Sequence, residues 1–333
     1  MTTFYNAKIM KFAETVIKIL IVVAGCWILY VKLFRNSDVD MMWDSVSGSL
    51  SSWNSLSLIF LALLLTLVNI ALEALKWQKS VLPVERVSFK KAYIAVFTGI
   101  MTGMFFPNRT GDFLGRVFIL ERANRIKASM LTFVGNIAQM VATSFFGLIA
   151  LIIISEKHHV IIISLIAAAV ISLELLLFFN IHLLKYFQKI VPSRWKSRTE
   201  NYVDIFGCFS RKDLLAILLT AFAKYLVYSF QFVLLIWAFD VPLSYYNAMI
   251  PIMVTYLVMT IIPFITITEI AVRGSVCVYV FEYWLNLLNV NTSYSMMVFS
   301  ASTLLWIFNL AIPAVIGLFF IRRMRFVRKS YVS

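Results

Sequence analysis

The stretch AYIAVFTGIMTGMFFPNRTGDFLGRVFIL, residues 92–120, decides the fold. Its apolar part, Ala92–Phe106, covers 15 residues, or about 22 Å of α-helix, short of a ~30 Å hydrocarbon layer. It carries Gly99 and Gly103 and stops at Pro107. After Asn108, Arg109, Thr110, Gly111 and Asp112, a still shorter apolar piece, Phe113–Leu120, leads to Arg122, Arg125 and Lys127. Two crossings cannot be made from pieces this short. A hairpin that enters the membrane and returns to the same side accommodates both, so the segment reads as a re-entrant helix pair.

The surroundings place this hairpin in a membrane protein. Of 333 residues, 61% are hydrophobic and 14% charged, against roughly a quarter charged in soluble domains, and the mean hydropathy is +0.88. Apolar blocks of about 20 residues recur along the chain, each long enough to span. The net charge of +14 sits in short loops between these blocks, which is a topology signal and not a nucleic-acid face. Cys26, Cys208 and Cys277 have no CxxC or metal-ligand spacing with His158, His159 or His182, so no disulfide framework, metal site or cofactor is expected. The first apolar run, Glu14–Phe34, lacks a small-residue cleavage site and reads as an uncleaved helix.

Loop charges fix the expected orientation. Asp38, Asp40 and Asp44 place the 35–54 loop outside, and Lys76, Lys79, Arg86, Lys90 and Lys91 place the 76–91 loop in the cytoplasm. Helices are expected at 56–75, 129–154, 160–184, 214–239 and 296–321, with a basic cytoplasmic loop at 185–212 and a basic tail after Ile321. Both termini are then cytoplasmic. The fold class is an all-α polytopic membrane protein with about six spanning helices plus two re-entrant helix pairs in an inverted repeat. It forms one transmembrane domain over 1–333. Within it, 10–54 holds the first helix and outer loop, and 55–127 the first repeat with a cytoplasmic hairpin. Residues 128–212 hold the central helix pair and basic loop, 213–290 the second repeat with an outer hairpin, and 291–333 the last helix and tail.

The repeat rests on spacing. Ser88 precedes Ala92 by four residues and Pro107 follows fifteen later; Ser244, Ala248 and Pro263 keep both intervals. Asp112 and Arg116 are four apart, as are Glu269 and Arg273. With one full helix before each unit, the first hairpin opens from the cytoplasm and the second from outside. Inverted repeats with broken helices at mid-membrane are the mark of secondary transporters, because backbone freed at a break must line protein or a watery cavity.

Ionisable residues at these breaks are the candidate substrate-binding groups. They are Arg109, Asp112 and Arg116 at the first, and Glu269 and Arg273 at the second. The i,i+4 pairs let each acid neutralise its Arg. An Arg fork suits phosphate, and a helix N-terminus after the break favours an anion. Lys224 and Glu174, each either a buried ion pair or part of a headgroup path, and Glu73, near the inner end of its helix and read as part of the site entrance, complete the set. No nucleotide-binding loop, catalytic triad or metal cluster is legible, so no catalytic residue is assigned and the chain is read as no enzyme.

Several stretches resemble the transmembrane, flippase-like domain of lysylphosphatidylglycerol synthases. They are Glu73-Ala74-Leu75-Lys76-Trp77, the run Pro107 to Arg116, and Pro263 to Val272-Arg273. The likeness covers about residues 10 to 325. It implies a flippase for aminoacylated phospholipids or polyprenyl-phosphate-linked lipids, with Arg109, Asp112, Arg116 and Arg273 at matching positions. The second break departs from the family: Thr266-Ile267-Thr268-Glu269 stands where glycines are usual, and Gly274 follows Arg273 where an acid is usual. With no synthase domain after residue 330, the chain is expected not to make an aminoacyl lipid itself. The expected function is translocation of an anionic or aminoacylated lipid headgroup across the cytoplasmic membrane, with membrane lipids as partners and no nucleic acid. A second copy or a separate lipid-modifying enzyme is a further candidate partner. The rivals are a membrane enzyme acting on a lipid phosphate through Asp112 and Glu269, and a non-transporting partner of an envelope-lipid enzyme.

Overall fold

A computed structural model describes residues 16, 52–106, 109–183, 204–262, 269–290, 292 and 294–324. The helix expected at Glu14–Phe34 (Val16 apart), almost all of the 35–54 loop, Pro107, Asn108, Pro263, Thr266, Ile267, Thr268, most of the basic 185–212 loop and the basic tail from Arg325 lie outside the described residues.

Every regular element among the described residues is helical. In chain order they are α1 (Trp53–Val81), α2 (Phe89–Gly103), α3 (Gly111–Val117), α4 (Arg125–Ile154), α5 (Val160–Phe179), α6 (Arg211–Ala238), α7 (Tyr245–Ile261) and α8 (Glu269–Leu287). A last run follows: α9 (Ser295–Trp306), a π-helical turn (Ile307–Ala311) and α10 (Ile312–Phe320). Among the described residues, five helices are long and apolar enough to cross a membrane: α1, α4, α5, α6 and the run Ser295–Arg323. Helix α5 is apolar on all faces and scarcely buried, with Ile161, Leu165 and Leu176 each more than 60% exposed, as befits a helix turned to lipid.

The repeated serines have a physical role. Ser88 Oγ accepts from Lys91 N and Ser244 Oγ from Asn247 N, each at 3.4 Å, capping the orphan N–H groups that open α2 and α7. Asn124 caps α4 in the same way, and Ser210 with Asp213 forms a capping box on α6.

Helices α2 and α3 are zipped together. A Cβ on Gly115 would lie 2.3 Å from Thr98 O, so only glycine allows this approach. The closeness brings Thr98 Oγ1 within 3.1 Å of Gly115 O and Thr102 Oγ1 within 2.8 Å of Gly111 O. Gly115 O, one of the carbonyls that the end of this seven-residue helix leaves without an i+4 partner, thus finds a donor away from water. The two ends of the pair also meet. Glu85, before α2, accepts from the backbone N–H groups of Glu121, Arg122 and Ala123 beyond α3, at 2.8–3.2 Å. Lys91 adds a salt bridge to Glu85 at 3.0 Å. These N–H donors hold the Glu85 carboxyl down at about 2.

Helices α1 and α6 run antiparallel. Lys79 Nζ lies 3.2 Å from Thr220 Oγ1, Glu73 faces Lys224, and Gln231 donates to Thr66 Oγ1 at 2.9 Å. The C-terminal half of α1 (Ile70, Ala74, Trp77, Val81) shares a core with α2, the end of α3 and α10. Its N-terminal half, at Ala62, shares another with the end of α6, the start of α7, α8 and α9. The first broken unit thus packs on the C-terminal half of α1, while most of the second lies in the other core and meets the first through Ile270 of α8.

The units are unequal. The return leg α3 has 7 residues and α8 has 19. Helix α1 also outruns its expected end at Leu75, continuing to Val81, so Lys76 and Lys79 stand on the helix and not in a loop.

Candidate functional site

The bundle holds a half-open cavity of about 480 Å³ to which α1, α2, α3, α4, α6, α7, α8 and α9 contribute, with the π turn. Its charged lining is Glu73, Lys76, Arg109, Asp112, Arg116, Lys224 and Arg273. Neutral polar groups among the rest are Asn69, Gln139, Tyr228, Tyr256 and Asn309.

Glu73 is the hub of the first half. One carboxylate oxygen accepts from Arg116 Nη1 at 2.7 Å; the other lies 2.8 Å from Lys76 Nζ and 2.5 Å from Lys224 Nζ. Arg116 then closes a two-point bond on Asp112, with Nε to Oδ1 at 2.9 Å and Nη2 to Oδ2 at 2.5 Å. Lys76 also donates to Gln139 Oε1 of α4 at 3.2 Å. Glu73, Lys76 and Arg116 are buried, so these charges persist only because they satisfy one another. Gly99 makes room: a Cβ there would fall 2.1 Å from Asp112 Oδ1.

Glu269 is the hub of the second half. It is buried, opens α8, and accepts from Arg109 and from Arg273 Nη2, the latter at 3.3 Å. Arg273 Nη1 also bonds Tyr228 Oη of α6 at 2.9 Å. Arg109 adopts φ 57, a left-handed backbone rare for a non-glycine. That geometry lies on the turn between α2 and α3 and carries its guanidinium across to the other unit.

The expected i,i+4 pairs both form, yet neither is closed on itself. Arg116 also serves Glu73, and Glu269 also serves Arg109. The helix starts expected to welcome an external anion hold the protein's own Asp112 and Glu269 instead, where acids complement the helix dipole. Of the eight expected residues, seven fall into these two clusters, four around Glu73 and three around Glu269. Glu174 stands apart on α5, accepting from Ser144 Oγ of α4 at 2.9 Å. Lys76, Gln139, Tyr228 and Tyr256 are additions to the expected set. The i,i+3 spacing of Glu73 and Lys76 was the available sign for Lys76.

A neutral ladder crosses the bundle beside the charges. Asn69 donates to Asn309 Oδ1 at 2.8 Å, Asn309 to Gln231 Oε1 at 2.9 Å, and Gln231 to Ala62 O at 2.7 Å. Asn309 sits in the π turn, whose extra residue presents it to α1 and α6. Among the described residues no three His, Cys, Asp or Glu side chains gather as a metal would require.

Long apolar helices surrounding a cavity lined by paired charges define a multi-pass membrane protein with a polar site in its interior. Residues 15–298 match the family described as the lysylphosphatidylglycerol synthase TM region. The match covers most of the chain, and the chain belongs to that family. Comparison with curated proteins finds no match.

Proposed function

We propose that this protein is a lipid translocase of the cytoplasmic membrane that moves a phosphate-bearing headgroup, anionic or aminoacylated, through the cavity between its two broken units. One observation carries the reading: one and the same cavity receives Arg109 and Arg116 from the first unit and Arg273 from the second, joined by Lys76 and Lys224. Guanidinium forks and ammonium groups are the side chains that hold phosphate, and ionisable groups inside a bundle mark substrate paths.

The inverted-repeat reading belongs to the same proposal. In it, α2–α3 enters from the cytoplasm and α7–α8 from outside, both termini are cytoplasmic, and about six helices span. The Glu85 latch supports a hairpin that returns to its own side, and the antiparallel run of α1 and α6, the helix before each unit, supports opposed entry. Transport is favoured over chemistry because Glu73, Asp112 and Glu269 are each held by cations, whereas an acid–base catalyst needs a carboxyl poised to exchange its proton.

The test is headgroup translocation in proteoliposomes holding labelled phosphatidylglycerol, lysylphosphatidylglycerol or a polyprenyl phosphate lipid. Wild type should move at least one of them, and Arg116→Ala and Arg273→Ala should both abolish the movement. A folded preparation that moves none of the three would reject the reading.

A further inference from the structure

We infer that the site prefers a headgroup with two negative charges, a phosphate monoester, over a phosphodiester or an aminoacylated headgroup. This rests on the translocase reading and narrows its cargo.

The first argument is charge balance. Lys76, Arg109, Arg116, Lys224 and Arg273 line the cavity, and Glu73, Asp112 and Glu269 are the carboxylates bonded to them. Five cations against three acids leave two positive charges. Inside a membrane bundle such a surplus is costly until an anion cancels it. A phosphate monoester carries about −1.5 to −2 near neutral pH and offers three acceptor oxygens, which matches the surplus in sign and size. A phosphodiester cancels half of it. A headgroup with one phosphate and two amines is net positive and adds to it.

The second argument is independent of charge. Arg273 Nε and Tyr256 Oη are buried donors with no hydrogen-bond partner, and both residues line the cavity. Buried donors of this kind normally find an acceptor. Arg273 Nε can only donate and calls for an acceptor oxygen, which an amine cannot supply, while the Tyr256 hydroxyl can turn to either.

Soluble phosphate shares this chemistry, so the experiment separates the two sources. Proteoliposomes of the full chain receive polyprenyl monophosphate, phosphatidylglycerol or lysylphosphatidylglycerol at equal mole fraction, and a further arm follows uptake of radiolabelled inorganic phosphate. The monophosphate lipid should move at least about tenfold faster than either of the others, the scale of one charged hydrogen bond gained. Lys224→Gln should narrow the ratio of monophosphate to phosphatidylglycerol movement. Equal or faster movement of phosphatidylglycerol or lysylphosphatidylglycerol overturns this inference and leaves the translocase reading standing. Phosphate uptake without lipid movement overturns the lipid assignment. Failure of every arm in folded protein removes the translocase reading itself.

Discussion

Arg109 and Glu269 lie 160 positions apart in sequence, yet the guanidinium of one donates to the carboxylate of the other, with Nε 3.4 Å from Oε2. The pair joins the turn between α2 and α3 to the first residue of α8. Glu269 is 1% exposed and Arg109 about a third. Removing the acid strands Arg273 as well as Arg109. Glu269→Gln should therefore lower stability by about 1–3 kcal/mol, below the full cost of breaking a buried pair because Arg109 is not fully buried. A double-mutant cycle on Arg109→Gln and Glu269→Gln, read by unfolding in detergent, should give a coupling of at least about 0.5 kcal/mol. Strict additivity would mean that the two residues are not energetically joined.

Arg116 bonds Asp112 at two points and Glu73 at a third. An ammonium cannot reproduce that fork. Arg116→Lys should then lose translocation nearly as completely as Arg116→Ala, by about tenfold or more. Near-normal transport by the lysine variant would show that only the charge matters.

Gly115 tests the zipped hairpin. Its Cβ would meet Thr98 O and Thr102 Oγ1 at 2.3 and 2.1 Å, whereas a Cβ on Gly207 meets nothing within 4 Å. Gly115→Ala should cost about 1–3 kcal/mol through displaced backbone, and Gly207→Ala within about 0.5 kcal/mol. Thermal unfolding of the two variants side by side measures the difference.

Glu85 gives a pH dependence outside the spanning segments. Its carboxyl is lowered from 4.5 to about 2 by the N–H groups of Ala123, Arg122 and Glu121 and by Lys91. A depressed acid contributes stability that is fully present above pH 4.5 and is lost as pH falls toward 2. Wild type should lose melting temperature across that window. Glu85→Gln should start lower at neutral pH and change less over the same range.

Glu174 is the contrast to Glu73. It bonds Ser144 away from the cavity network, while Glu73 holds three cations. Glu174→Gln should leave translocation within about twofold of wild type, and Glu73→Gln should reduce it about tenfold or more. Equal losses would move the substrate path toward α5.

Much of this architecture was legible in the linear chain because it is local. Block lengths and breaks follow from hydropathy, the serines of the repeat announce two helix caps, and the acid–arginine spacing announces two pairs on helix faces. What escaped depends on which helices become neighbours. The contacts Glu73–Arg116 and Arg109–Glu269 bridge 43 and 160 positions, and nothing in either segment names its partner. Lys76 was hidden differently: as one basic residue among several after an apolar run it counted as loop charge, until α1 carried it a further turn into the interior. Gln139 and Asn309 are neutral and gave no signal at all. Glu174 looked like its buried counterparts because position within an apolar run does not say which face meets lipid.

The unequal return legs carry a last consequence. If the two units exchanged conformations with identical hardware, a state open to one side and its mirror open to the other would be equal in energy, and each would hold half the molecules. A 7-residue leg zipped by glycines and a 19-residue leg anchored by Glu269 lift that degeneracy. If translocation works by such an exchange, the unliganded protein rests with one face favoured, and each turnover begins by climbing out of that bias.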